Sequence, residues 1–217
     1  MPDETDFVPL GLSSLDAIEK LHHLSLSTFT DATLVKPERR SFFEAILQRR
    51  GTILGYHEAG QLLAYGVLMH ELPEGDTTHR ILGLDARTPL IKLAGAAVHP
   101  QWRGRGLQRA AIRARLARLR ATGARYGFAT AAPGNVVSWS NLLSEGFRVV
   151  ALVHAYGTLL RYLLAWEDGR SPRTTALEWR DWRETDWQAT HLASGWQGIA
   201  WREGPQGRQI AFAPEAA

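Results

Sequence analysis

The sequence contains no cysteine. Disulfides, thiolate metal sites and a cysteine nucleophile are therefore excluded, while the compartment stays open. No apolar run approaches the ~18 residues that a membrane-spanning helix needs, so no membrane partner is expected. The acidic opening stretch MPDETDFVPLGL lacks the apolar centre of a secretory signal, and a cytoplasmic protein is expected. No internal repeat or low-complexity segment is present, which sets aside solenoids and disordered arrays. The most informative absence is of acid. From Ala86 to Ser144 there is no Asp or Glu, yet the same stretch carries ten basic residues: Arg87, Lys92, Arg103, Arg105, Arg109, Arg113, Arg115, Arg118, Arg120 and Arg125. The overall charge is only +3, so the rest of the chain is net acidic. A locally positive middle is suited to an anionic ligand; an arginine-rich helix face in water would look the same by charge alone.

What is present suits a substantial core. The chain has 217 residues, 45% of them hydrophobic, enough for one large domain or a domain with an added subdomain. Apolar periodicity predicts a helix over about 14–28, opened by Ser13-x-x-Asp16 in the manner of a capping box. A second helix is expected from Pro37 to about Arg50. TILGYHE (52–58) and QLLAYGVLMH (61–70) read as strands joined by a tight Ala59-Gly60 turn. A weaker strand is expected over Arg80–Leu84, and a buried one over LIKLAGAAV (90–98). A helix follows from about Gly106 to Thr122, then a buried strand over 125–132. Asn135 is placed to cap a short helix ending at Ser144. Strands are expected at 147–156 and 158–166, a linker at 167–173, a strand at 174–180, a helix at 185–194 and a hairpin over 196–202 and 207–212. Antiparallel strands first and βαβ units later make this a mixed α/β chain.

The stretch VHPQWRGRGLQRAA (98–111) places Arg103, Gly104, Arg105 and Gly106 where a strand hands over to a helix. The first amides of a helix lack internal partners and sit at the positive end of its dipole. Glycine permits positive φ and close approach of a ligand, and arginine adds charge and a forked donor. The turn is therefore suited to a phosphate, best a diphosphate. A P-loop would need Lys followed by Ser or Thr, and none is here. A Rossmann turn would need a small residue at Arg109 and an acid about 20 positions on; no acid occurs until Glu145.

Val98-x-Pro100-x-x-Arg103-Gly104-x-Gly106-Leu107 instead resembles the acyl-CoA-binding loop of the GNAT acetyltransferase superfamily, Arg/Gln-x-x-Gly-x-Gly/Ala. Gln108 replaces the last small residue. Downstream, Asn135-x-x-Ser138 and Gly146-Phe147 resemble the family's second signature at the matching separation. The resemblance covers roughly residues 7–166. It implies a mostly antiparallel central sheet with a splayed parallel strand pair (about 93–98 and 126–131), flanked by helices. It also implies acetyl-CoA as cosubstrate and direct attack of a primary amine on the thioester. The implied acceptor is a small molecule or amino-acid-like amine. The implied cofactor contacts are Val98, His99, Arg103, Gly104, Arg105, Gly106, Leu107, Gln108, Asn135 and Ser138, with a backbone amide near Val98 stabilising the developing oxyanion. No metal site is implied.

The resemblance leaves the proton carriers open. The family's leaving-group tyrosine falls at Leu142, and the strand entering the loop holds Lys92 but no carboxylate. His70, Glu71, His79, Ser138 and Tyr156 are the candidates that remain. A thiolate can also leave unaided, since thiols ionise near pH 8.5. On this reading Leu142→Tyr is expected to be tolerated. A CoA-binding protein without catalysis is the alternative, and an arginine-helix nucleic-acid module is disfavoured because no aromatic residues interleave the basic run. The helix after the loop is expected to pack through Leu107, Ala110, Ala111, Ala114, Ala117 and Ala121. Residues 1–166 are read as the acetyltransferase domain, and 167–217 as a small Trp-rich α/β extension packed on it. Six of the eight tryptophans lie between Trp166 and Trp201, as a small local core, as the wall of an acceptor site or as a contact in a homodimer. Gly157 is read as a β-bulge beside Tyr156.

Overall fold

Leu62 to Leu68 are buried without interruption, the mark of a strand covered on both faces. That strand anchors the first of two compact units in the computed structural model, which describes residues 2–170 and 177–215. The elements in chain order are β1 (Val8–Pro9), α1 (Leu15–Leu26), α2 (Arg40–Ala45, continued by a wider turn Ile46–Arg50), β2 (Gly51–Glu58), β3 (Gln61–Met69), α3 (Thr78–Ile81), β4 (Leu90–Val98), α4 (Leu107–Ala121), β5 (Tyr126–Ala131), α5 (Val136–Ser144), β6 (Arg148–Ala155), β7 (Leu159–Glu167), β8 (Glu178–Asp181), α6 (Thr185–Ala193), β9 (Trp196–Gly204) and β10 (Gly207–Pro214). This is a mixed α/β fold with a mostly antiparallel sheet flanked by helices, as expected.

The first unit comprises Met1–Ala32, Lys36–Asp76 and Pro89–Gly127. Its strands lie in the order β1-β2-β3-β4, each antiparallel to the next. Alternation on β3 feeds two cores. Tyr65 and Val67 join Leu15, Ile18, Leu21, Phe43 and Ile46 from α1 and α2. Ala64 faces the opposite way, to Leu107, Ala110, Ala111 and Ala114 of α4. Between β3 and β4 the register slips: Gly66 pairs with Ala96, but Leu68 pairs with Leu93. One extra residue therefore sits in β4, a β-bulge at Ala94–Gly95. The start of β5 packs close to β4, because a Cβ at Gly127 would lie 3.6 Å from the Ile91 carbonyl oxygen and 2.8 Å from Leu119 Cδ1.

The second unit comprises Thr33–Val35, Thr77–Thr88 and Phe128–Ala217. Its strand order is β5-β7-β6-β9-β10-β8. β6 and β7 form a hairpin, β9 lies antiparallel to β6 through Val149 and Gly198, and β10 pairs antiparallel with both β9 and β8. α5 and α6 are bound to this sheet by polar and aromatic contacts. The Tyr162 hydroxyl donates to Gln188 Oε1 at 2.6 Å, and Trp139 meets the Tyr162 ring edge-on. The C-terminal strands thus share a sheet with β6 and β7.

Several local expectations change. Arg80–Leu84 is not a strand: Thr78–Ile81 forms one helical turn, closed by Leu82 N–H onto Thr78. α1 has no side-chain cap from Ser14, while the reciprocal box forms upstream between Asp3 and Asp6. On α4, Ala117 and Ala121 face solvent, and Ile112, Arg115, Leu116 and Leu119 are buried instead. Gly157 is not a bulge. With Tyr156 and Thr158 it makes a three-residue hairpin loop, in which Gly157 and Tyr156 take φ +90° and +54°, and the irregularity in that hairpin falls between Val149 and Ala151. The linker expected at 167–173 begins later, since β7 runs to Glu167; 171–173 of it, and 174–176 of the expected strand, lie outside the described residues.

Candidate active site

β4 ends at Val98, half-buried and paired with Ala64. His99 N–H continues the ladder onto the Leu63 carbonyl at 2.8 Å. Its Nδ1 is buried and has no hydrogen-bond partner. Pro100–Trp102 then makes one tight turn, and Arg103 is extended again. Gly104 and Gly106 both take φ near +79°, the left-handed region that L side chains avoid. A Cβ at Gly104 would meet nothing within 4 Å, so only the backbone angle calls for glycine there. Gly106 is the N-cap residue of α4, and no side chain caps that helix. The opening amides of an α-helix have no carbonyl one turn back to bond to, and the dipole of α4 directs positive potential at the turn.

The side chains around this turn have separate tasks. The Arg103 guanidinium turns toward α1: Nη1 donates to Thr28 Oγ1 at 2.8 Å, and Nη2 donates to the Ser25 carbonyl at 3.2 Å and to Ser25 Oγ at 3.1 Å. It also lies over the Phe29 ring. Desolvation lowers its pKa from the usual arginine value. Arg103 therefore braces the turn against the end of α1, a role the spacing did not reveal. Arg105 stacks on Trp102 at 4.3 Å. The Leu107 side chain is 1% exposed in the α4 core, so it can offer a ligand only its amide. Gln108 is half-buried in the same helical turn.

In the second unit, Asn135 caps α5 as expected. Its side-chain oxygen accepts from Ser138 N–H at 3.2 Å, and its Nδ2 donates to the Leu34 carbonyl at 3.5 Å. Ser138 is half-buried beside it. Leu142 is 5% exposed in the packed face of α5. Tyr156, 40% exposed, hydrogen-bonds through its hydroxyl to Thr130 Oγ1 on β5 at 3.0 Å.

The other candidates are scattered. His70 and Glu71 follow Met69, whose partner is Lys92, so they lie at the end of β4 opposite the glycine turn. Desolvation lowers the His70 pKa, with Arg118 adding to the effect and Glu71 opposing it. The His79 Nε2 lies 2.9 Å from the Thr88 carbonyl, which can only accept, so that nitrogen carries the proton. Among the described residues no group of His, Asp and Glu side chains could hold a metal ion, and no helix is long and apolar enough to cross a membrane. The residue that sequence reasoning missed is Arg115. Named there only as one of ten basic residues, it is 3% exposed, with its guanidinium on the Ala94 carbonyl of β4.

A strand-to-helix turn with two left-handed glycines and a helix start without a side-chain cap, beside a bulged strand, is suited to a ligand that carries phosphate. The chain belongs to the acetyltransferase (GNAT) family, whose family model matches residues 18–147. Solved structures share the fold at low identity. The ribosomal-protein-S18-alanine N-acetyltransferase from Escherichia coli is 15% identical, with a TM-score of 0.58 over 78% of this chain and 97% of that one. A Salmonella typhimurium protein solved with its cofactor acetyl-CoA is 16% identical, with a TM-score of 0.56 over 78% of this chain and 98% of that one. An acetyltransferase from Thermus thermophilus is 17% identical, with a TM-score of 0.53 over 75% of this chain and 96% of that one. No curated protein matches this chain. As a GNAT enzyme it is an N-acetyltransferase with acetyl-CoA as cosubstrate, and the turn at Gly104–Gly106 fits that group.

Proposed function

We propose that the chain transfers an acetyl group from acetyl-CoA to the primary amine of a small-molecule or amino-acid-like acceptor by direct attack. The observation that supports it most is the turn at Gly104–Gly106, where two left-handed glycines open α4 and the N-cap makes no side-chain hydrogen bond to it. When bound, acetyl-CoA supplies an acyl group already activated as a thioester. The amides from Arg105 to Arg109 hold the diphosphate, with Arg105 fixed over Trp102 at the mouth. A backbone amide near Val98 stabilises negative charge on the thioester oxygen. Asn135 and Ser138 are the further cofactor contacts that the family's second signature implies. The acceptor amine must be neutral to attack. Tyr156, exposed and tied to β5 through Thr130, is the foremost candidate to return a proton to the thiolate. The protein acts in the cytoplasm on this reading, as a monomer or homodimer.

The catalytically silent alternative draws on Leu142, an apolar side chain buried where the family's tyrosine would stand. One assay decides: thiol release from acetyl-CoA in the presence of a panel of small amines and amino acids. Amine-dependent release supports the enzyme. CoA binding by calorimetry with no release from any amine leaves only the binding protein.

A further inference from the structure

Arg115 lies on the buried face of α4 and is 3% exposed. Its Nε donates to the Ala111 carbonyl one turn back, at 3.0 Å, and its Nη1 donates to the Ala94 carbonyl on β4, at 3.3 Å. No carboxylate among the described residues pairs with it, and desolvation lowers its pKa to about 10, so it remains a cation at neutral pH. A buried charge is costly, and an apolar side chain of similar volume usually serves packing as well or better. The surroundings are nevertheless shaped to admit it. A Cβ at Gly66, on the β3 face that meets α4, would lie 2.7 Å from Arg115 Nε, 2.9 Å from Cδ and 3.0 Å from Cζ. Glycine at 66 is the vacancy that the guanidinium fills.

The carbonyl it reaches is not an ordinary strand carbonyl. Ala94 and Gly95 form the bulge, where β4 carries one residue more than β3 and the ladder is interrupted. A bulge re-aims the residues that follow it, here Ala96 to Val98. A donor on the Ala94 carbonyl fixes the tilt of the Ala94–Gly95 peptide and polarises it, which strengthens the Gly95 N–H as a donor.

We propose that Arg115 is a positioning residue for acetyl transfer: by holding the Ala94 carbonyl it locks the β4 bulge and so aims the amides that β4 does not turn toward β3, those of Ala96 and Val98, at the acyl group. This rests on the acetyltransferase reading above. The anchor is supplied from α4, the helix whose first turn holds the diphosphate, so one rigid element sets both the phosphate grip and the strand that meets the acyl group.

The test compares Arg115→Met, Arg115→Lys and Gly66→Ala with the wild type, first by amide hydrogen exchange without ligand. In Arg115→Met, exchange in residues 93–98 accelerates by about tenfold or more while β2 and α1 are unchanged, a local rather than global opening. In steady state, kcat falls by roughly tenfold or more while CoA affinity stays within about threefold. Arg115→Lys, which keeps the charge and one donor, recovers part of kcat. Gly66→Ala, which crowds the guanidinium without deleting it, lowers kcat in the same direction and serves if Arg115→Met does not fold. Unchanged exchange at 93–98 overturns the proposal, as does wild-type kcat in a variant whose bulge has loosened. A wild-type chain that binds CoA but acetylates no amine overturns the functional reading instead, and the exchange rates still report whether Arg115 holds the bulge.

Discussion

At the scale of single residues, burial decides what a side chain can do more than its type does. His22 is 5% exposed on α1. Its Nε2 accepts the Glu38 N–H at 2.9 Å, which leaves the proton on Nδ1, aimed at the Tyr65 hydroxyl at 2.8 Å. Desolvation lowers its pKa to about 4, with His23 adding to the effect and Glu19 opposing it. Between pH 6.5 and about 4 the unfolded chain therefore binds a proton at this position that the folded chain refuses. Stability is expected to fall as pH drops through that window, with the His22 contribution fully present above it. Urea midpoints at about pH 7 and pH 5 measure the slope. His22→Gln, although less stable near neutral pH, should show a shallower decline, and an unaltered decline would assign the acid sensitivity to other groups. Leu142 follows the same logic. The sequence comparison alone made Leu142→Tyr look harmless, but the side chain is 5% exposed in α5. A larger ring with a hydroxyl to satisfy is expected to cost about 1–3 kcal/mol, read as a lowered urea midpoint. Any gain in kcat has to be sought above that loss.

At the scale of elements, the strand–turn–helix around β4 and α4 is where sequence and structure agree most closely. Gly106 caps α4 at φ +79°, so Gly106→Val meets two penalties: a β-branched residue in the left-handed region, costing about 1–2 kcal/mol, and branched bulk at the residue that opens the helix, next to the amides proposed to hold the anion. CoA affinity by calorimetry is expected to drop by more than about tenfold, beyond what the stability loss explains. Gly104→Ala separates the two effects, because its Cβ enters open space and only the φ strain applies. Equal losses of affinity in both variants would make strain the whole cause. This turn was legible because glycine and arginine at a strand-to-helix boundary have few other reasons to occur together. The cap at Asn135 and the turn at Ala59-Gly60 were legible, since they depend on local geometry, whereas the glycine of the Tyr156-Gly157 turn was read as a bulge. The helical turn at Thr78–Ile81 was not: four residues carry too little periodicity to separate strand from helix. Arg115 was hidden for a different reason. Its burial depends on a glycine 49 positions earlier and on a bulge in β4, neither of which helical periodicity can register. Ala117 and Ala121 misled because alanine fits both faces of a helix equally well.

At the scale of the molecule, the Trp-rich segment is part of a sheet and not an appendage to one. β9 pairs with β6, and β10 bridges β9 and β8. Phe212 and Ile210 are fully buried, and Trp187 packs edge-on against Phe212 and Trp196. Arginines stack on four of the tail tryptophans: Arg180 on Trp187, Arg183 on Trp182, Arg202 on Trp179 and Arg208 on Trp201. A buried side-chain link to the β6–β7 hairpin is Gln188. It accepts from the Tyr162 hydroxyl and donates to the Asp181 carbonyl at 2.8 Å, so it ties β7, α6 and the end of β8 in one buried relay. Two strands and a helix joined this way should open together, as one cooperative unit. Hydrogen exchange in the β6 and β9 amides is therefore expected to report the same opening free energy. Gln188→Leu leaves the Tyr162 hydroxyl only the longer bond to the Trp182 carbonyl, at 3.3 Å, and strips the Asp181 carbonyl of a donor. The expected cost is about 1–3 kcal/mol, with the loss of protection shared by β6, β7 and β9. Protection lost in β9 and β10 while β6 and β7 keep theirs would show the C-terminal strands to be a separate folding unit, and the division of the chain after residue 166 would then be the right one.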